Sequence, residues 1–379
     1  MAEPGRVREL VAVFGKLGCI AFGGPAAHIA MMHDEVVRRR EWVTEQRFLD
    51  LVGATNLVPG PNSTELAIYL GYERARWRGL FVAGLCFITP AAVLVCALAW
   101  AYVRYGHTPA AVGLLYGITP VVIAIIAYAV MKLAPTAVRG VWLAIVSVAA
   151  LVAYLLGLNE LVLLAAGGLL AVLVAWWRRP RAKGSSRAAA LLPLWLAPIF
   201  APAMGGRLWT LFLTMLKIGS VLYGSGYVLF AFLRGDFVAR LGWLTDQQLL
   251  DAVAVGQLTP GPVFTSATFV GYLVAGLPGA AVATVAIFAP AFVFAALLGR
   301  IVGWLRGRWW ASAALDGINA TALALMLGVA FQLGRVALTD PLTIGLAIVA
   351  GVALWRFRLN SAWLILAGAV VGLVHALLT

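Results

Sequence analysis

The chain is a succession of apolar runs separated by short polar or basic joints. Runs at 79–103, 110–131, 141–157 and 160–177 are long enough to cross a bilayer alone, each close to the roughly 20 residues a membrane helix needs. Similar runs follow at 279–299, 311–333, 341–355 and 360–378. Upstream of each group lie two segments, 11–32 with 47–73 and 212–233 with 248–273, which are apolar but broken mid-way by Gly and Pro. A further run at 190–203 has no counterpart. About 13 apolar segments with no alternating pattern between them predict helices throughout.

Composition excludes most soluble alternatives. Of 379 residues 63% are hydrophobic and only 11% charged, and the mean hydropathy is +0.96. Soluble domains run about 45–50% apolar and about 25% charged. The pattern predicts an all-α polytopic membrane protein. Its net charge of +13 suggests nucleic acid at first sight, but the cations fall between apolar runs: Arg38-Arg39-Arg40, Arg74/Arg76/Arg78, Arg178/Arg179/Arg181/Lys183/Arg187, Arg300/Arg306/Arg308 and Arg356/Arg358. Cytoplasmic loops of membrane proteins have this composition, so no nucleic-acid partner is expected and the lipid bilayer is. Cys19, Cys86 and Cys96 sit in apolar surroundings with neither disulfide nor metal spacing. No cofactor or metal is expected. The polar start, Met1 to Leu10, does not resemble a cleavable signal peptide.

Self-similarity is the most informative feature. Lys16-Leu-Gly-Cys-Ile-Ala-Phe-Gly23 recurs as Lys217-Ile-Gly-Ser-Val-Leu-Tyr-Gly224, Trp42-Val-Thr44-Glu-Gln46 as Trp243-Leu-Thr245-Asp-Gln247, and Asp50 as Asp251, all at an offset of 201. Leu57-Val-Pro59-Gly60-Pro61 recurs as Leu258-Thr-Pro260-Gly261-Pro262 at the same offset. It then becomes 200 at Gly71-Tyr72 with Gly271-Tyr272, Gly79 with Gly279, Pro90 with Pro290 and Gly117-Ile118 with Gly317-Ile318. Lys, Trp, Asp and Pro-Gly-Pro do not recur in register by chance. The chain is a duplication: an N-terminal repeat, 1–185, and a C-terminal one, 186–379, joined by a basic linker.

If the broken segments of a copy cross twice or not at all, each copy begins and ends on one side. The run at 190–203 then delivers the second copy inverted. With the N-terminus inside, 38–47, 74–78, 132–139 and 178–187 are cytoplasmic and basic, and inversion brings 300–308 and 356–358 inside too. The C-terminus then lies outside. Inverted repeats with interrupted helices are the architecture of secondary transporters.

Broken helices at membrane depth are tolerated where protein or a water-filled cavity satisfies the backbone, so the breaks mark the candidate substrate site. One break holds Gly23, Gly24 and Pro25, with His28 following; its mate holds Gly224, Ser225 and Gly226. The other holds Pro59, Gly60, Pro61, Asn62, Ser63 and Thr64, matched by Pro260, Gly261, Pro262, Thr265 and Ser266. Pro61 suits the first position of a new helix, whose amides and hydroxyls attract an anion. Lys16 and Lys217, two of only four lysines, are matched upstream of the breaks. An ammonium within a span is by default functional, and the pair is expected to supply positive charge to a dianion; snorkelling to the interface is the structural alternative. Glu65 follows the Pro-Gly-Pro break and is the candidate for a coupling proton. His28 suits anion, proton or helix packing alike. Asp50 and Asp251 read as structural, Trp42 and Trp243 as interface anchors, and Thr44 and Thr245 as helix caps. No nucleophile–base pair or metal-ligand set is suitably spaced, so an enzyme is not expected.

These residues carry a resemblance. Phe22-Gly-Gly-Pro25 with His28, then Leu57-Val-Pro-Gly-Pro-Asn-Ser-Thr-Glu65 and Gly71-Tyr72, is similar to the chromate ion transporter family, and the duplication with Thr259-Pro-Gly-Pro262 to its long, two-domain members. The second copy departs from Gly-Gly-Pro and lacks the histidine and the glutamate. The resemblance implies an inner-membrane carrier that exports chromate and confers chromate resistance, with sulfate, another tetrahedral dianion, as competing ligand. A sulfate or other oxyanion carrier, or an anion channel, would keep the same features. A homodimer is among the assemblies open to it.

Overall fold

The computed structural model describes residues 4–178, 206–223, 226–305, 308–357 and 359–378. The run at 190–203, the repeat boundary at 185/186, Gly224, Ser225 and much of the basic joints at 178–187 and 300–308 lie outside the described residues. Among the described residues all regular structure is helical. The first copy comprises α1 (Pro4–Ile20), α2 (Gly24–His33) with a π-helical turn (Asp34–Arg39), α3 (Glu45–Thr55), α4 (Asn62–Tyr105), α5 (Pro109–Ala137), α6 (Val141–Leu155) and α7 (Glu160–Arg178). The second repeats the order. It runs through α8 (Arg207–Val221), a 3-10 turn (Gly226–Val228), α9 (Leu229–Leu233), a π-helical turn (Arg234–Arg240), α10 (Asp246–Leu258), α11 (Ser266–Leu305), α12 (Trp309–Ala337), α13 (Pro341–Phe357) and α14 (Ser361–Leu378).

Local chemistry sets the boundaries twice over. The Thr44 hydroxyl accepts from the Arg47 amide at the start of α3, and Thr245 does the same for Gln248 in a reciprocal capping box at α10. Asn159 accepts from the Leu161 amide ahead of α7, and Asn360 from the Ala362 amide ahead of α14. Pro61 stands at the cap of α4, one residue before the first helical position expected for it. The long helices α4 and α11 each turn sharply inside, at Ala75-Arg76 and Ala275-Gly276, with φ of 53° at Arg76 and 61° at Gly276.

Among the described residues six helices are long and apolar enough to span, and α6 and α13 are shorter apolar ones. Large apolar side chains such as Trp100, Val148, Leu173, Val285 and Trp363 point outward, as lipid requires.

The broken segments do not cross. Arg47 at the start of α3 is ion-paired with Glu73 at the end of the first arm of α4. Next to it, Arg74 pairs with Glu9 near the start of α1 at 2.7 Å, and its guanidinium lies 5.1 Å from the Trp42 ring centre. The starts of α1 and α3 and the ends of both excursions therefore share one face. Eleven residues of α3 rise about 16 Å, half the roughly 30 Å hydrocarbon core, so each excursion reaches mid-membrane and returns. In the second copy Arg207 at the start of α8 lies 5.1 Å from the Trp243 ring, closing the matching hairpin.

The two copies are interlaced and inverted. Tyr116 of α5 lies beside Asp340, just beyond α12, while Ile123, two turns on, lies 3.6 Å from where a Cβ on Gly334 would stand. Moving forward along α5 is thus moving backward along its repeat mate α12. The same relation recurs at the outer helices. A Cβ on Gly117 of α5 would collide with the Gly368 carbonyl of α14, and one on Gly317 of α12 with the Gly167 carbonyl of α7. These are one contact made twice, since Gly117 matches Gly317 and Gly167 matches Gly368. Backbones approach this closely only where both helices offer glycine, the small-residue packing typical of membrane helices.

Candidate functional site between the helix breaks

The interlacing brings the breaks of the two copies together. The Gly60 amide donates to the Leu222 carbonyl at 2.7 Å, and the Gly261 amide donates to the Ala21 carbonyl at 2.8 Å. Gly60 matches Gly261 and Ala21 matches Leu222, so the Pro-Gly-Pro break of each copy is stitched to the first break of the other. Both glycines have positive φ, 135° and 94°. A Cβ at Gly261 would stand 2.7 Å from Ala91 Cβ, and one at Gly60 would run into the Glu65 carboxyl. Helix starts follow each break: α2 at Gly24, α4 at Asn62, the helical stretch from Gly226, and α11 behind its 3-10 turn. The first amides of a helix have no acceptor within it, so the seam is rich in outward-facing donors.

Side chains at the seam divide into committed and uncommitted ones. His28 is buried, its Nε2 donating to the Ala21 carbonyl at 3.0 Å and its Nδ1 accepting from the Ser63 hydroxyl at 3.2 Å. The tautomer follows from those partners. Ala21 therefore receives both His28 and Gly261. The Thr265 hydroxyl donates to the Pro262 carbonyl at 2.7 Å, and Asn62 donates to Asn56 at 2.5 Å. Uncommitted are the Thr64 hydroxyl, both Glu65 carboxyl oxygens and the Ser266 hydroxyl, all fully buried without a hydrogen-bond partner. Glu65 and Ser266 are repeat mates.

The lysines are not free charges. Lys16 lies 3.6 Å from Glu35, and Lys217 donates to Asp236 at 2.7 Å. Glu35 and Asp236 are again matched at 201, each in a π-helical turn and each also held by arginine: Glu35 by Arg39 and Arg40, Asp236 by Arg240. The sequence pairs neither lysine with these carboxylates when it offers the lysines as positive charge for a dianion. Their register in the sequence was the available signal. A matched pair alongside them is His33 with Glu45 (2.7 Å) and Arg234 with Asp246 (2.7 Å). Asp251 is buried and bound by Tyr102 and Gln247, in keeping with a structural role.

Gln257 and Tyr227 also lie at the seam; their mates, Asn56 and Ala26, are not among the sequence candidates, so the register carried no signal for either.

A family model for the chromate transporter matches residues 8–172 and again 209–373. The chain belongs to the chromate transporter family. The two matches stand at the same offset, 201, as the breaks. The transporter is 36% identical to a chromate transport protein of Cupriavidus metallidurans, over 97% of this chain and 93% of the relative. It is 33% identical to a probable chromate transport protein of Synechococcus elongatus and 32% identical to a chromate transport protein of Pseudomonas aeruginosa, covering 97% and 96% of this chain and 95% and 91% of those relatives. No solved structure gives a significant match. The transporter is a multi-pass membrane protein built of two repeats.

Proposed function

We propose that the transporter is a carrier, not an enzyme, that exports chromate across the inner membrane and so confers resistance to it, binding the dianion at the seam between the four breaks. The single observation that carries this reading is the reciprocal pair of bonds, Gly60 to Leu222 and Gly261 to Ala21, which ties each Pro-Gly-Pro helix start to the first break of the other copy. A helix N-terminus offers about half a positive charge. Four of them offer about two, enough to balance a chromate or sulfate dianion without a bare lysine. In this reading Pro59, Gly60, Pro61, Pro260, Gly261 and Pro262 shape the backbone, Thr64 and Ser266 donate hydroxyls, and Lys16 and Lys217 hold the surrounding ion pairs. The relatives' names support chromate as the substrate.

Export follows from charge. A dianion leaving a cell that is negative inside gains about 2.3 kcal/mol per charge per 100 mV. The basic face bearing Arg38 to Arg40 and Arg74 to Arg78 is placed inside, with the N-terminus, and the C-terminus outside. Glu65 is the candidate proton site: an ionised carboxylate without partners is costly at this depth and would repel the substrate.

The test is flux of radiolabelled chromate, with sulfate as competitor, in proteoliposomes under an imposed potential and at several pH values. Saturable chromate efflux driven by the potential is expected, and Glu65→Gln should remove its pH dependence while leaving chromate affinity largely intact. Absence of saturable chromate flux would refute the reading; unchanged pH dependence in Glu65→Gln would remove the proton role alone.

A further inference from the structure

The last turn of α10 carries a side chain that neither the fold nor the charge balance uses. Gln257 is 9% exposed, and its Oε1 accepts from the Tyr227 hydroxyl at 3.4 Å while its Nε2 has no partner. The Tyr227 hydroxyl in turn lies 3.9 Å from where a Cβ on Gly24 would stand. Next to Gln257, Gly256 faces the unpartnered Ser266 hydroxyl so closely that a Cβ there would collide with it. Three breaks thus meet around this one carboxamide: the first break of the first copy at Gly24, and both breaks of the second copy, at Tyr227 and at Gln257 itself.

The repeat mates make a useful contrast. Asn56 is exposed and its Oδ1 is occupied by Asn62, and the position matching Tyr227 is Ala26. Symmetry of the fold therefore does not require a buried amide here; it is a feature of the second copy alone. A buried N–H left unpaired is costly, and native structures rarely keep one without a ligand, water or catalytic reason. The oxygen end of the amide is spent on the Tyr227 hydroxyl, and the buried donor end meets no protein acceptor. A neutral NH2 can bond two oxygens of a tetrahedral oxyanion without adding charge to a site already balanced by helix ends.

We infer that Gln257 is a substrate-contacting donor to the oxyanion, and that Tyr227 is the positioning residue that holds its amide. This rests on the seam being the chromate site. The experiment is chromate affinity of the purified full-length protein by equilibrium dialysis, with thermal midpoints recorded with and without chromate. Gln257→Met keeps the length and removes the donor, and Gln257→Glu keeps the oxygen that Tyr227 holds while putting oxygen in place of the nitrogen. We expect affinity at least tenfold weaker for Gln257→Met, undetectable binding for Gln257→Glu, and a two- to fivefold loss for Tyr227→Phe. A packing role would instead lower the chromate-free midpoint and leave the chromate-induced shift intact. If Gln257→Met fails to fold, Gln257→Asn, which carries the residue of the repeat mate, is expected to bind at least tenfold more weakly through shortened reach. Parental affinity in any folded Gln257 variant overturns the inference. Failure of the parent protein to bind chromate would overturn the substrate reading instead.

Discussion

Substituting Gly261 tests the stitched seam most directly. An alanine at φ 94° takes on the strain of a left-handed L-residue, about 1–2 kcal/mol. Its methyl would stand 2.7 Å from Ala91 Cβ and 3.5 Å from the Gly18 carbonyl, where carbon atoms ordinarily rest about 3.5–4.0 Å apart. Either the contact stays crowded, at about 1–3 kcal/mol, or the tip withdraws by about an ångström. Withdrawal would stretch the 2.8 Å bond from the Gly261 amide to Ala21 past hydrogen-bonding range. The strain and one of these alternatives together give about 2–5 kcal/mol. The assay is the apparent unfolding midpoint in one fixed detergent, read beside chromate flux in proteoliposomes. Gly53→Ala is the control: nothing stands within 4 Å of that Cβ, it lies inside α3, and its repeat mate is Ala254. The control should gain up to about 1 kcal/mol. Gly261→Ala should lose several degrees and most of its flux. Parental midpoint and flux in Gly261→Ala would refute the close seat of one repeat's tip in the other.

Two further outcomes follow from the repeat comparison. Arg76 holds φ 53° and ψ −139° where its mate is Gly276, so Arg76→Gly should relieve about 1–3 kcal/mol of strain, less the entropy of glycine and a weak stacking on Tyr72, for a net rise in midpoint; a lower midpoint would show that the turn is unstrained. Lys217→Met leaves the buried Asp236 with Arg240 alone and should destabilise by about 3 kcal/mol, whereas half-exposed Lys16 pairs with a Glu35 already served by two arginines, so Lys16→Met should stay within about 1 kcal/mol; equal losses measured by midpoint would show that the two ion clusters are energetically alike.

How much of this was legible beforehand depended on whether the signal was local. Thr44 and Thr245 cap helices because a hydroxyl beside a free amide acts within four residues, and that pattern survives in one dimension. The breaks were equally plain, since Gly and Pro interrupt helices wherever they fall. The return of each excursion to its starting face was not, because an apolar segment broken at its centre has the same pattern whether it crosses or turns back. What decides is tertiary: Arg47 with Glu73, and Arg74 with Glu9. Glu35 and Asp236 were in register with the lysines all along. They drew no attention because a π-helical turn, which brings them back to the lysines, has no sequence signature of its own.

The duplication also separates what symmetry supplies from what it leaves open. Backbone geometry is shared: the bonds at Gly60 and Gly261, the glycine contacts of α5 with α14 and of α12 with α7, and the turns at Arg76 and Gly276 all occur twice. A carrier that alternates by exchanging the conformations of its repeats needs such sharing, because each copy must be able to adopt the shape of the other. The chemistry at the seam is not shared. Glu65 faces Ser266 in the alignment, His28 faces Leu229, Ala26 faces Tyr227 and Asn56 faces Gln257. The carboxyl and the imidazole at the seam thus come from the first copy, while hydroxyls come from both. With the seam as the proposed anion site, helix ends and hydroxyls are available from both copies, whereas a proton carried by Glu65 would belong to the first copy. On that proposal the asymmetry of the side chains would locate coupling in the first copy, while the shared backbone geometry would let the two copies exchange conformations.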